Sequence, residues 1–303
     1  MAEPFQYGGQ AVIEGVMMRG PKDWAVAVRK KTGEIIVDKK KINSIVQRYP
    51  FLKWPLLRGV VALFEAMILG IKVLTYSANM SVDDDEEETL SNKEIALTMV
   101  VAVGLALLLF VVIPTVAAYF MKAYFNVFWQ NILEGFLRIG IFIAYVYGIG
   151  KMSDIQRVFQ YHGAEHKTIH TYEAGEKLEV SNARKHSTLH PRCGTSFMLA
   201  VLVLTIFLFS FFTAPNIWVR IGSRLLLMPI VAGISYEFIK WSGKHAHHAL
   251  VKTMIAPGLW LQKLTTREPD DKQLEVAICA LEAVLDEQKR MESERLEVVD
   301  YVR

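Results

Sequence analysis

Three histidines stand at helical spacing around a carboxylate in Tyr161-His162-Gly163-Ala164-Glu165-His166-Lys167-Thr168-Ile169-His170. On a helix, His162 and His166 lie one turn apart on one face and can grip a single ion. Neutral imidazole is a good ligand for Zn, Fe, Ni or Cu. Glu165 lies beside the pair, placed to take a proton from a water that a metal activates. His170 comes one turn later and stands ~80° around the helix from His162.

A second donor set follows in His190-Pro191-Arg192-Cys193-Gly194-Thr195, preceded by His186 in a polar stretch. A thiolate at Cys193 would favour zinc, and Arg192 could hold a phosphate or carboxylate. Cys193 can equally serve as a small buried residue, Arg192 as a membrane-surface anchor, and His186 as a surface residue. A third set, His245, His247 and His248, follows a long apolar run, with His245 and His248 on one helix face as ligands or as a polar cap. His-x-x-Glu-His is the ligand pattern of the inverzincin metalloproteases, which need a further carboxylate downstream. Glu173, Glu176, Glu179 and Glu237 are available, and spacing does not choose among them. Glu14 and Arg19, in Gly9-Gln10-Ala11-Val12-Ile13-Glu14-Gly15-Val16-Met17-Met18-Arg19, are charged residues that could complete a site over the histidines. The same block reads equally as a strand and tight turn shaped by Gly15 and Gly20, with Met17 and Met18 in the core.

These residues must be held by the elements around them, and those are apolar. Of 303 residues, 52% are hydrophobic, and the mean hydropathy is positive. The apolar residues cluster in blocks, the pattern of an integral membrane protein. Four spans are expected near 95–119, 132–150, 196–214 and 217–240, each close to the ~20 residues that cross a bilayer. Pro114 should kink the first. Arg138 in the second, and Arg220 and Arg224 in the fourth, are expected to snorkel to the interface. The span centres carry no histidine and no obvious acidic path, which counts against ion transport.

Residues 1–54 read as a small β-rich cytoplasmic domain. Trp24–Arg29 and Glu34–Asp38 flank Lys30-Lys31-Thr32-Gly33, a hairpin signal, and Gln10–Arg19 reads as a third strand. Residues 55–78 are apolar but carry Arg58, Glu65 and Lys72 on one helical face. Each would cost roughly 2.5–3.5 kcal/mol at the bilayer centre. An interfacial or re-entrant helix is expected, with a membrane span and a soluble amphipathic helix packed on the domain as the alternatives. The acidic run 83–88 reads as a solvated linker within 55–94. Hairpin 95–150, the His/Cys-rich segment 151–195, hairpin 196–241 and the tail 242–303 complete the organisation. In the tail, Leu274, Ala277, Ile278, Leu281, Val284 and Leu285 recur at helical steps. They predict an amphipathic C-terminal helix that docks on the protein itself, pairs with a partner or builds a homo-oligomer.

Lys and Arg concentrate before the first span, in 151–195 and after 241, so both termini are expected in the cytoplasm. All 8 histidines then fall on the cytoplasmic side. The N-terminus shows no signal-peptide pattern. Cys193 and Cys279 form no disulfide framework, and a net charge of +3 gives no reason to expect nucleic acid.

The Gly9–Arg19 block, Tyr161–Thr168 and His190-Pro191-Arg192-Cys193-Gly194-Thr195-Ser196-Phe197 together resemble the YqhQ-like bacterial membrane proteins. That family is a domain of unknown function labelled in general terms as predicted metal-dependent enzymes. The resemblance covers nearly the whole chain. It implies a multi-pass protein of the bacterial cytoplasmic membrane with a metal site, and it supplies no substrate.

The expected fold is mainly α and polytopic. The leading function is a divalent metal site, zinc-like, formed on the cytoplasmic face by His162 and His166 with a third ligand among His170, His190 and Cys193. If catalytic, it is a hydrolase acting on a membrane-associated substrate with Glu165 as base. A non-catalytic scaffold or regulator with structural histidines is the alternative, and a transporter or metal sensor the third.

Overall fold

A computed structural model describes residues 7–81, 92–211, 216–245 and 248–285. The acidic run 83–88, His247 and the tail beyond 285 lie outside the described residues. Four strands come first: β1 (Gly8–Val12), β2 (Gly15–Arg19), β3 (Asp23–Arg29) and β4 (Ile35–Lys41). They form an antiparallel sheet in the order β1-β2-β3-β4. The hairpin expected at 24–38 is β3–β4, with Gly33 at φ 91° in its turn. The single strand expected over 10–19 is instead two. Val12 pairs with Gly15, and the chain reverses through Ile13-Glu14, where Glu14 takes φ 51°. A non-glycine residue at positive φ is uncommon and marks a tight turn that periodicity does not announce.

Among the described residues eight longer helices follow: α1 (Leu57–Ser81), α2 (Lys93–Ala123), α3 (Val127–Ile149), α4 (Ser153–Glu173), α5 (Gly194–Ser210), α6 (Ile217–Lys244), α7 (Ala249–Thr265) and α8 over 271–285. Two single-turn α-helices are also present, Ile45–Arg48 before α1 and Val180–Ala183 between α4 and α5. Among the described residues three helices, α2, α3 and α6, are long and apolar enough to cross a membrane. The remaining expected span, α5, has 17 residues and sits at the short end of that range. Helix α7 was not foreseen, because Pro257-Gly258 interrupts its apolar pattern.

Both faces of the sheet are covered. Val16, Met18, Ala25 and Ala27 pack on Tyr161, Ala164 and Ile169 of α4 and on Leu274, Ala277 and Leu281 of α8. The alternate residues Met17, Trp24, Val26 and Val28 pack on Val73, Leu69 and Tyr76 of α1. Strand alternation thus reads out as two cores. All six apolar positions expected in the C-terminal helix are buried against the sheet and α4. The start of α8 is closed by a reciprocal cap, in which Asp270 accepts from the Gln273 N–H and Gln273 from the Asp270 N–H. Helix α1 also meets α6, where Arg58 pairs with Glu237. It still exposes Phe64, Met67 and Ile68.

The arginines of the spans depart from expectation. Arg138, Arg220 and Arg224 do not snorkel. They are buried together around Glu134, which accepts from all three and from Thr115. Asn131 accepts from Arg220 and Arg224 at 2.7 Å each, and Gln130 from Arg220 at 3.0 Å. Arg138 also donates at 2.7 Å to the Phe110 carbonyl. That carbonyl lies in a π-helical turn, Leu108–Val112, four residues before Pro114, which has no N–H to offer it. Arginine is drawn inward because every other exit for its charge lies along apolar helix surface, whereas Glu134 lies one turn from Arg138.

Candidate metal centre

The regular geometry of an α-helix places His162, Glu165 and His166 on adjoining faces of α4, and the structure brings Cys193 to them. His162 Nε2 stands 3.2 Å from Cys193 Sγ, and the His162 and His166 rings lie 4.4 Å apart. The ligand atoms of His162, His166 and Cys193 all fall within 4.8 Å of one another. In a tetrahedral zinc site such atoms stand about 3.3–3.7 Å apart, given zinc–nitrogen and zinc–sulfur bonds of about 2.0 and 2.3 Å.

Backbone carbonyls choose the tautomers. A carbonyl only accepts, so His162 Nδ1 carries the proton that it donates to the Thr265 carbonyl at 2.9 Å. His166 Nδ1 donates likewise to the Thr188 carbonyl at 2.6 Å. In the neutral ring each Nε2 then carries the lone pair, the state a metal requires. Cys193 precedes α5, and its sulfur accepts the Thr195 N–H at 3.4 Å.

Gly163 makes the first of these bonds feasible. A Cβ there would lie 2.1 Å from the Arg267 carbonyl oxygen. Only glycine lets the strand of chain leaving α7 lie flat against α4 and present Thr265 to His162. Gly9 has a similar part on the opposite side. Its N–H donates to Glu165 at 2.9 Å, satisfying a donor on the free edge of β1, and a Cβ would strike Met17 and crowd Glu165. Burial pushes the Glu165 carboxyl above the usual carboxylate range, against the opposing pull of His162 and the Gly9 N–H. These groups line one cavity of about 400 Å³, walled by β1, α4 and the 190–195 segment.

A second donor group, His170, Glu173 and His190, adjoins the first. It is already internally paired. Glu173 accepts from Arg192 and from His190, the latter at 3.4 Å. Burial acts to raise the Glu173 carboxyl, but these two hydrogen bonds outweigh it and hold it at about 2. Burial lowers His190 to about 4 against the pull of Glu173, so its neutral ring donates through Nε2 and accepts the Arg192 N–H at Nδ1. His170 donates to the Leu189 carbonyl at 2.9 Å. Gln262 of α7 clamps the His190 backbone from both sides, at 2.8 Å each. Sequence reading missed Gln262 and the two carbonyl acceptors.

The other expected residues lie elsewhere. Glu14 pairs with Arg157 and accepts from Tyr161 at 3.2 Å, in a separate cavity beside Arg29 and Asp270. Arg19 lines a cleft between the sheet and α1. His245 and His248 do not share a helix: one ends α6 and the other precedes α7, their rings 6.0 Å apart. Neither belongs to either donor group. His186 stacks over His170 at 6.1 Å and contacts Glu176. Of the downstream carboxylates, only Glu173 joins a donor group, and it joins the second.

A family model described as "Protein of unknown function (DUF1385)" matches residues 54–287. The chain belongs to this family. It is also 36% identical over 293 residues to "Uncharacterized protein YqhQ" of Bacillus subtilis (strain 168), covering 91% of each chain. No solved structure matches. The family model takes in α1 through α8, so both donor groups fall within it, whereas Gly9 and β1 precede it.

Proposed function

We propose that this is a multi-pass protein of the cytoplasmic membrane whose cytoplasmic face carries a zinc-type centre held by His162, His166 and Cys193. The Lys and Arg asymmetry of the connecting segments supports the orientation, with both termini inside. The observation that carries the metal reading is the pairing of tautomers. Two carbonyls hold two imidazoles with their Nε2 lone pairs turned toward one thiol. Two nitrogens and a sulfur suit zinc over harder ions, and three protein ligands leave a fourth position open, as in catalytic zinc sites.

A divalent ion there would supply Lewis acidity and a water of lowered pKa. Glu165, buried against β1, would hold or accept the proton. Its oxygen bound to Gly9 fixes the carboxyl plane. Arg192 lines the cavity wall with its charge paired to Glu173. The reaction best served is hydrolysis of a membrane-associated substrate.

A structural role is the second reading, favoured by one observation: the centre ties α4, the 188–195 segment and α7 together. Cobalt separates the two. Protein loaded with Co²⁺ should show a thiolate-to-metal charge-transfer band that Cys193→Ser removes. Added azide should shift the visible spectrum if a coordination position is open. A spectrum that ignores azide turns the assignment to a structural site, and wild-type protein that takes up no stoichiometric metal overturns both readings. Glu165→Gln should keep the metal.

A further inference from the structure

We infer that the buried arginine cluster between α3 and α6 binds a phosphate group. Arg138, Arg220 and Arg224 face a single carboxylate, Glu134, so the cluster carries a net charge of +2 from these four groups. Arginine cannot shed that charge by losing a proton. Asn131 and Gln130 satisfy hydrogen bonds there but bring no charge. Uncompensated charge inside a membrane-spanning bundle is expensive, and such groups usually mark a ligand or a path.

Three further observations point to an anion. Arg224 Nη1 is buried and has no hydrogen-bond partner, leaving a charged donor to be filled. The cluster begins within the first turns of both helices: α3 starts at Val127 and α6 at Ile217. The positive ends of two helix dipoles therefore meet its outer edge, at Gln130 and Arg220. Arg220 lies about 5 Å, and Arg224 about 10 Å, along the axis from the start of α6 at 1.5 Å per residue, a depth that a headgroup phosphate can approach. The planar guanidinium fork matches phosphate oxygens in pairs, which a halide cannot exploit. The phosphate is that of an anionic lipid headgroup or a free phosphate ion. The cluster belongs to the bundle and is independent of the histidine centre.

The full chain, purified in a phosphate-free sugar detergent, is heated in sodium chloride, in inorganic phosphate at matched ionic strength, and with phosphatidylglycerol added to the micelles. One of the two phosphate sources should raise the unfolding midpoint by roughly 5 °C beyond chloride. A response to free phosphate identifies a soluble ligand, and a response to phosphatidylglycerol alone identifies the headgroup. Arg224→Gln should remove the increment, while Arg192→Gln, at the histidine centre, should keep it. If Arg224→Gln does not fold, Arg224→Lys retains the charge without the fork and should weaken the response about tenfold in ligand concentration. Equal midpoints in all three media overturn the inference, as does an increment that survives at full strength in the Arg224 variant.

Discussion

Two buried polar clusters stand in this molecule, and they are built on opposite logic. Around Glu134, charge meets charge: one carboxylate serves three guanidiniums inside the helical bundle. Around His162, two imidazole rings are held by backbone carbonyls and a thiol by the Thr195 N–H at the edge of the bundle, with one ring nitrogen of each imidazole turned to the site. The first stabilises only as a set, because removing its one anion strands three cations. The second tolerates loss of members, because each ring is held by its own carbonyl. The difference teaches that a buried polar group is to be judged by what it has left to offer after its neighbours are satisfied.

The largest effect should come from breaking the charge set. Glu134→Ala should destabilise the protein by about 3–5 kcal/mol, read by thermal unfolding in detergent, since it leaves uncompensated buried cations. A variant within about 1 kcal/mol of the wild type would erase the contrast. A smaller loss, about 1–3 kcal/mol, is expected from Gly163→Ala, which forces Cβ into the Arg267 carbonyl. It should also lower zinc content per chain by elemental analysis, because Thr265 is pushed off His162. The smallest effect on metal is expected from His190→Ala. Its ring is committed to Glu173 and the Arg192 N–H, so zinc affinity should stay within about threefold while stability falls by about 1–2 kcal/mol. A tenfold loss of affinity would move the centre toward the second donor group.

Much of the fold was legible in periodicity. The β3–β4 hairpin, the apolar helices and the buried face of α8 all follow from where apolar residues recur. The i, i+4 histidines could be read in the same way, and Cys193 was within reach as a donor beside a helix start. What remained hidden has specific causes. The acceptors for His162 and His166 are main-chain carbonyls of Thr265 and Thr188, and a carbonyl leaves no trace in residue type. Gln262 sits in a helix whose Pro257-Gly258 pair breaks the apolar pattern. The three arginines were assigned to the interface because a lone cation in a span snorkels. Glu134 reverses that outcome, and its pairing with Arg220 and Arg224 crosses 86 and 90 residues of sequence. Glu14 stands near the histidines in no sense that matters, because its turn carries it to Arg157.

The bond from His162 to Thr265 spans 103 residues. During synthesis at about 5–20 residues per second, His162 waits roughly 5–20 s for the carbonyl that chooses its tautomer. For that interval α4 has its imidazoles but not the orientation that makes them a chelate. On the proposed zinc reading, a nascent chain would offer passing ions only loose, exchangeable donors, and selective loading would belong to the finished polypeptide.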